Sequence, residues 1–157
     1  MGQPLRRATS DDVAGITRLV ASAFGKYVER IGKPPAPMTA DYAVLLGNSR
    51  VWVLEEGRQI VGVLVTRAEA DHLLLDVVAV SPGMQGGGHG RSLLARAEQD
   101  AHDAGLREIR LCTNEAMTEN LTFYPRRGFH ETSRGVEDGY HRVFFAKRLE
   151  SAPTSSA

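Results

Sequence analysis

The residues best suited to chemistry lie in one run, Val77-Val78-Ala79-Val80-Ser81-Pro82-Gly83-Met84-Gln85-Gly86-Gly87-Gly88-His89-Gly90-Arg91-Ser92-Leu93-Leu94. An apolar, β-branched strand leads into a proline, a glycine cluster and then a helix. Glycines let backbone approach an anion without a Cβ in the way. The first turn of the helix offers unbonded N–H groups and the positive end of its dipole. Together these make an anion seat of main chain that needs no lysine, suited to a phosphorylated ligand. A second group, Asn120 and Tyr124, sits one helical turn apart and so shares a helix face. A third is Asp76, the single charge within Leu73-Leu74-Leu75-Asp76-Val77-Val78-Ala79-Val80. A carboxylate in an apolar strand is costly unless it is paired or functional.

Spacing separates the kinds of phosphate loop. A P-loop requires G-x-x-x-x-G-K-[ST], and the window Gln85 to Ser92 fails at the first glycine and at the lysine, where Arg91 stands. This disfavours a nucleotide phosphatase or kinase. The dinucleotide fingerprint G-x-G-x-x-G fails from either register, at Arg91 or at Leu93. What fits is Gln85-x-x-Gly88-x-Gly90 between a strand and an amphipathic helix, followed thirty residues after Gly90 by Asn120-x-x-x-Tyr124-x-x-x-Gly128-Phe129. The pair resembles the acetyl-CoA loop and the later motif of the GCN5-related N-acetyltransferase (GNAT) superfamily.

The resemblance implies acetyl-CoA as cofactor and transfer of its acetyl group to an amine by direct attack in a ternary complex. Backbone groups of Val78, Ala79 and Val80 would pair with the pantetheine arm, and the Val80 amide would polarise the thioester carbonyl. The loop Gln85, Gly86, Gly87, Gly88, His89, Gly90, Arg91 and Ser92 would hold the pyrophosphate. Asn120 would bond the pantetheine region, and Asn114 would line the opening between strands. Tyr124 would protonate the leaving thiolate, since a phenol of pKa ~10 carries its proton at neutral pH. Asp76 is the candidate base, or else a hydrogen-bonded partner of a neighbouring loop. Glu29 and Glu115 are the other candidates for that role. The acceptor side falls on Tyr27 to Met38, where Tyr27, Glu29, Arg30 and Met38 surround a stiff proline run. Glu29 would attract an ammonium group and Arg30 a carboxylate. A small-molecule amine is the expected acceptor. A peptide or protein amine remains open, as does a non-catalytic acyl-CoA sensor on the same fold. The late apolar residues Val143-Phe144-Phe145 permit the pairing of two copies seen in such proteins.

These groups need elements to hold them. Residues 4–8 read as a strand, and Ser10 as the N-cap of a helix on Val13, Ile16, Leu19, Val20 and Ala23 that ends about Phe24. Residues 25–38 read as irregular because of Gly32, Pro34, Pro35 and Pro37. Thr39 is expected to cap a short helix through Leu46. Strands follow at 51–55, 60–66 and 72–80, with a turn at 56–59. The glycine loop opens a helix from about Gly88 to Ala104, closed by Gly105. A strand at 108–113, a helix at 117–126 and strands at 129–134 and 141–148 complete the order β-α-α-β-β-β-α-β-α-β-β. The expected fold is therefore α/β (α+β): a mixed, mostly antiparallel sheet flanked by helices, similar to the GNAT fold over residues 4–149.

The bulk properties agree. At 157 residues the chain is expected to form one domain over 1–150, with a fraying small-polar tail at 151–157. Lys plus Arg and Asp plus Glu each number 19, which gives no basic surface for nucleic acid and no anionic-membrane binder. No apolar segment approaches the ~20 residues of a membrane span, and no signal peptide is evident, so a cytoplasmic protein is expected. Cys112, the only cysteine, excludes an internal disulfide and is expected as a buried small apolar residue. The five histidines lack metal-ligand spacing, so no metal is expected.

Overall fold

A computed structural model describes residues 5–150; the expected tail lies outside them. Its centre is a seven-stranded sheet in the order β1-β2-β3-β4-β5-β7-β6. The strands are β1 (Leu5–Arg7), β2 (Arg50–Glu56), β3 (Gln59–Ala68), β4 (Leu73–Val80), β5 (Glu108–Asn114), β6 (His130–Glu137) and β7 (Tyr140–Arg148). Every pairing is antiparallel except β4 with β5. This is the mixed, mostly antiparallel sheet expected.

The helices are α1 (Val13–Phe24), α2 (Lys26–Ile31), α3 (Ala36–Thr39), α4 (Tyr42–Asn48), α5 (His89–Asp103) and α6 (Thr118–Phe123). The segment expected to be irregular therefore holds two short helices. Lys26 to Ile31 contains no breaker, and α2 stops where Gly32 turns left-handed at φ 88°. Asp41 rather than Thr39 caps α4, with Oδ1 accepting from the N–H groups of Ala43 and Val44 at 3.1 and 3.2 Å. Ahead of α1 the cap is Thr9, not Ser10: its N–H donates to Asp12 Oδ2 at 2.8 Å, and Arg6 grips both oxygens of the Asp12 carboxylate. α6 gives way to a tight turn at Pro125–Arg127, since Pro125 has no N–H to continue it.

The two faces of the sheet bury two clusters. Ile16, Leu19, Val20 and Ala23 of α1 pack on Val63, Val65, Val77 and Ala79. Leu93, Leu94, Ala97 and Ala101 of α5 pack on the opposite face with Leu64, Leu73 and Leu75. Val143 and Phe145, from the run thought to suit pairing of two copies, are buried within the chain's own core, and Phe144 is half-buried.

Two irregularities in β4 prepare the site. Val65 faces Val77 and Thr66 faces Leu75, so Asp76 is a bulge residue with no partner on β3. The extra residue resets the alternation: Leu73 and Leu75 face α5, but Val77 and Ala79 face α1. That is why the strand reads as nearly continuous in apolar residues. On its other side, β4 pairs with β5 only at Leu73–Ile109 and Leu74–Arg110. Beyond them the strands separate, and β4 leaves main-chain groups unpaired along a cleft.

Candidate functional site

The glycine loop follows β4 directly. Gln85 Nε2 donates to Val80 O at 3.1 Å, tying the loop back to the strand it leaves. Gly86 and Gly88 adopt φ of 87° and 89°, a conformation that strains other residues. The Ser92 N–H is the first to close the helix, onto Gly88 O at 3.1 Å, so the preceding amides of α5 lack a helical acceptor. A Cβ at Gly90 would meet Phe123 Cζ at 3.2 Å, so glycine there allows α5 and α6 to approach.

Asp100 fixes α5, and with it the loop, to the sheet. It is 2 % exposed, and its carboxylate accepts from Thr66 Oγ1 at 2.7 Å, Trp52 Nε1 at 3.0 Å and Arg96 Nε at 3.1 Å. Arg96 belongs to this network and also stacks over Trp52 at 4.4 Å.

Two cavities open from the separated strands. One, of about 360 Å³, is lined by Val78, Ala79, Val80, Gln85, Gly86, Gly88, Gly90, Arg91, Asn120 and Tyr124, all expected at the cofactor. Gly87, His89 and Ser92 belong to the same turn but do not line it; Ser92 Oγ donates back to Gly88 O at 3.2 Å. The other cavity, of about 450 Å³, is lined by Asp76, Asn114, Asn120 and Tyr124, with Pro35, Ala36, Pro37, Asp41, Val44, Leu45, Cys112, Tyr140 and Arg142 among the rest. The cavities share Phe24, Val78, Asn120 and Tyr124.

Tyr124 stands at that junction, 5 % exposed. Its ring packs edge-on against Phe123 and Phe129, at 5.2 and 5.5 Å between centroids, and lies 5.9 Å from Phe145. Its hydroxyl makes no hydrogen bond to a described residue, and burial pushes its pKa well above the usual phenol value. Asn120 Nδ2 donates to Thr113 Oγ1 at 3.0 Å, linking α6 to β5. Asn114 Oδ1 accepts the Ala116 N–H at 2.9 Å. Asp76 is raised above the ordinary carboxylate range by desolvation, against which Arg67 and Arg142 pull it down.

The remaining sequence candidates fall elsewhere. Tyr27 lines the cavity beside the glycine loop and not the one beside Asp76. Arg30 donates to both carboxylate oxygens of Glu119, at 2.7 and 3.2 Å, and lies over the Tyr27 ring. Held by Arg30 first and by Lys26 as well, Glu119 is lowered to about 2. Glu29 and Met38 line neither cavity; Glu29 is exposed and Met38 packs beside the α1 cluster. Glu115 is exposed and pairs with Arg134 at 3.2 Å. Cys112, expected in the core, is accessible from the cavity beside Asp76: β5 alternates, and its buried positions are Ile109, Leu111 and Thr113. Sequence reasoning missed Arg127 in the cavity beside the glycine loop, which lies over Phe123 at 3.8 Å and has a buried Nε without a partner among the described residues. It also missed Asp41, Tyr140 and Arg142, which line the cavity beside Asp76.

A sequence model of the acetyltransferase (GNAT) domain matches residues 47–131, and the chain belongs to that family. It is an acetyl-CoA-dependent acetyltransferase, and the separated β4 and β5, with the open glycine turn beside Arg91 and Arg127, fit that donor. Solved structures share the fold at low identity. The PaiA N-acetyltransferase of Thermoplasma acidophilum, in complex with coenzyme A, is 14 % identical with a TM-score of 0.77, over 95 % of this chain and 100 % of that one. A GNAT acetyltransferase of Elizabethkingia anophelis with acetyl-CoA bound is 16 % identical with a TM-score of 0.68, over 94 % and 99 %. The ribosomal-protein-S18-alanine N-acetyltransferase of Escherichia coli is 18 % identical with a TM-score of 0.75, over 99 % of both chains. No curated protein matches the sequence. Among the described residues, no helix is long and apolar enough to cross a membrane.

Proposed function

We propose that the protein acetylates a small-molecule amine by direct attack within a ternary complex. The observation that carries this is the meeting of the two cavities at Tyr124 and Asn120. Acetyl-CoA supplies the acetyl group as a thioester, seated by the β4 backbone, the Gln85 to Gly90 turn, Arg91 and Arg127. The amine, held in the other cavity, forms the new N–C bond as the C–S bond breaks. Asp76 takes the amine proton, and its raised pKa brings it closer to that of an amine. Tyr124, still protonated because burial raises its pKa, gives its proton to the departing sulfur. The Val80 amide is the proposed donor to the carbonyl oxygen. Holding both reactants in one cleft is the main contribution to rate.

A small acceptor is favoured because the cavity is partly roofed. Tyr140 Oη donates to Pro34 O at 2.6 Å, strapping the β6–β7 hairpin across to the α2–α3 segment, and Lys33 lies over the Tyr140 ring at 4.0 Å. Calorimetric titration with acetyl-CoA, CoA and ATP, followed by thiol release over a panel of amines, tests the function. Binding of acetyl-CoA but not ATP, with thiol release by small amines, is expected. Thiol release with peptide amines only would overturn the small-molecule assignment. Tight acetyl-CoA binding with no turnover for any amine would favour a sensor.

A further inference from the structure

The charges facing the acceptor cavity are few and unequal. Arg142 Nη1 lies 2.6 Å from Glu137 Oε1, so its cation is already engaged, and a ligand carboxylate would have to compete with that pair. Asp76, at the bulge in β4, has neither an ion pair nor a hydrogen bond to a described residue. Asp41 uses only Oδ1 to cap α4; its Oδ2 accepts from no described residue. Phe24, Ala36, Val44 and Leu45 line the same cavity and give it an apolar wall. Arg67 and Arg142 offset part of the negative field at Asp76, and Asp41 adds a second carboxylate to the same cavity.

Resting on the acetyltransferase function proposed above, we infer that the acceptor is an alkyl diamine or polyamine, with the reacting nitrogen beside Asp76 and a second cationic group paired with Asp41. Methylene groups match the apolar wall, and a cation at each end matches the two carboxylates. An amino acid fits poorly, because its carboxylate would face Asp41 or displace Glu137 from Arg142. Asp41 and Asp76 line one cavity, and the Asp76 charge acts, after burial, on Tyr42, the residue next to Asp41.

Three acceptors of equal length isolate the second group: diaminobutane, butylamine and an aminobutanoate. Initial rates of thiol release are measured for each with the full chain and with Asp41→Asn. Asparagine caps a helix about as well as aspartate, so this variant removes the charge while keeping α4, and a thermal melt checks that it does. The expected kcat/KM is greatest for diaminobutane, by about tenfold over butylamine, the size of one partly desolvated charge pairing, and least for the aminobutanoate. Asp41→Asn is expected to bring the ratio of diaminobutane to butylamine close to one. Equal or better use of butylamine or the aminobutanoate would overturn the inference, as would an unchanged ratio in the folded variant. If acetyl-CoA binds and other amines react but these do not, this inference fails and the acetyltransferase function stands. If acetyl-CoA does not bind, both fail.

Discussion

Tyr124→Phe removes one atom from the junction of the two cavities, and the surroundings make its effect interpretable. The ring keeps its packing against Phe123, Phe129 and Phe145. The hydroxyl bonds no described residue, so its loss leaves no protein donor or acceptor stranded. The stability change should therefore stay within about 0.5 kcal/mol, the range of substitutions that break no packing or hydrogen bond. If the hydroxyl protonates the leaving sulfur, kcat should fall by about a hundredfold to ten-thousandfold, the usual contribution of a positioned general acid. That corresponds to roughly 3–5 kcal/mol of barrier. Acetyl-CoA affinity should stay close to that of the unmodified chain, because the loss concerns the transition state alone. The assay is steady-state thiol release alongside calorimetric binding and a thermal melt. An unchanged kcat in a folded, acetyl-CoA-binding variant would remove the general-acid role and leave Tyr124 as a packing aromatic.

Asp76→Asn should depress turnover and abolish the fall in rate that the parent enzyme shows as pH drops through the raised Asp76 pKa. The same shift gives a stability prediction. Burial raises the folded-state pKa, so Asp76 contributes stability below its unfolded value that is lost as pH rises through the folded one; the asparagine variant should then melt higher at neutral pH. A lower melting temperature would instead indicate that the carboxylate is structurally paired. Asp100→Ala strands the Trp52 N–H and the Thr66 hydroxyl and leaves Arg96 with Asp103 alone on the same helix. Urea unfolding should show a loss of about 3–5 kcal/mol, and a loss under 1 kcal/mol would mean that water replaces the carboxylate.

Much of the cofactor side was legible because its determinants are local. Gln85, Gly88 and Gly90 lie within six residues, acting through a side-chain bond back to the strand, a left-handed turn and a close helix approach, and Asn120 with Tyr124 shares one helical turn, so spacing alone brings each set together. The acceptor side is built from residues far apart in the chain. Tyr140 reaches Pro34, and Arg30 is held instead by Glu119, eighty-nine residues later, and by the Ala116 carbonyl. No short-range pattern announces such partners. Local signals also misled where one breaker coloured a whole segment: the prolines at 34, 35 and 37 hid α2, which ends before them. Asp76 lies between these cases. Its oddity within an apolar strand was visible, but the cause was not, because a bulge is a property of the β3–β4 register. That register explains both features at once. The extra residue switches Val77 and Ala79 to the α1 face, and it leaves one carboxylate without a strand partner at the mouth of the cleft. The break in patterning and the candidate base are therefore one structural event, and a substitution that restored regular register in β4 would be expected to remove both.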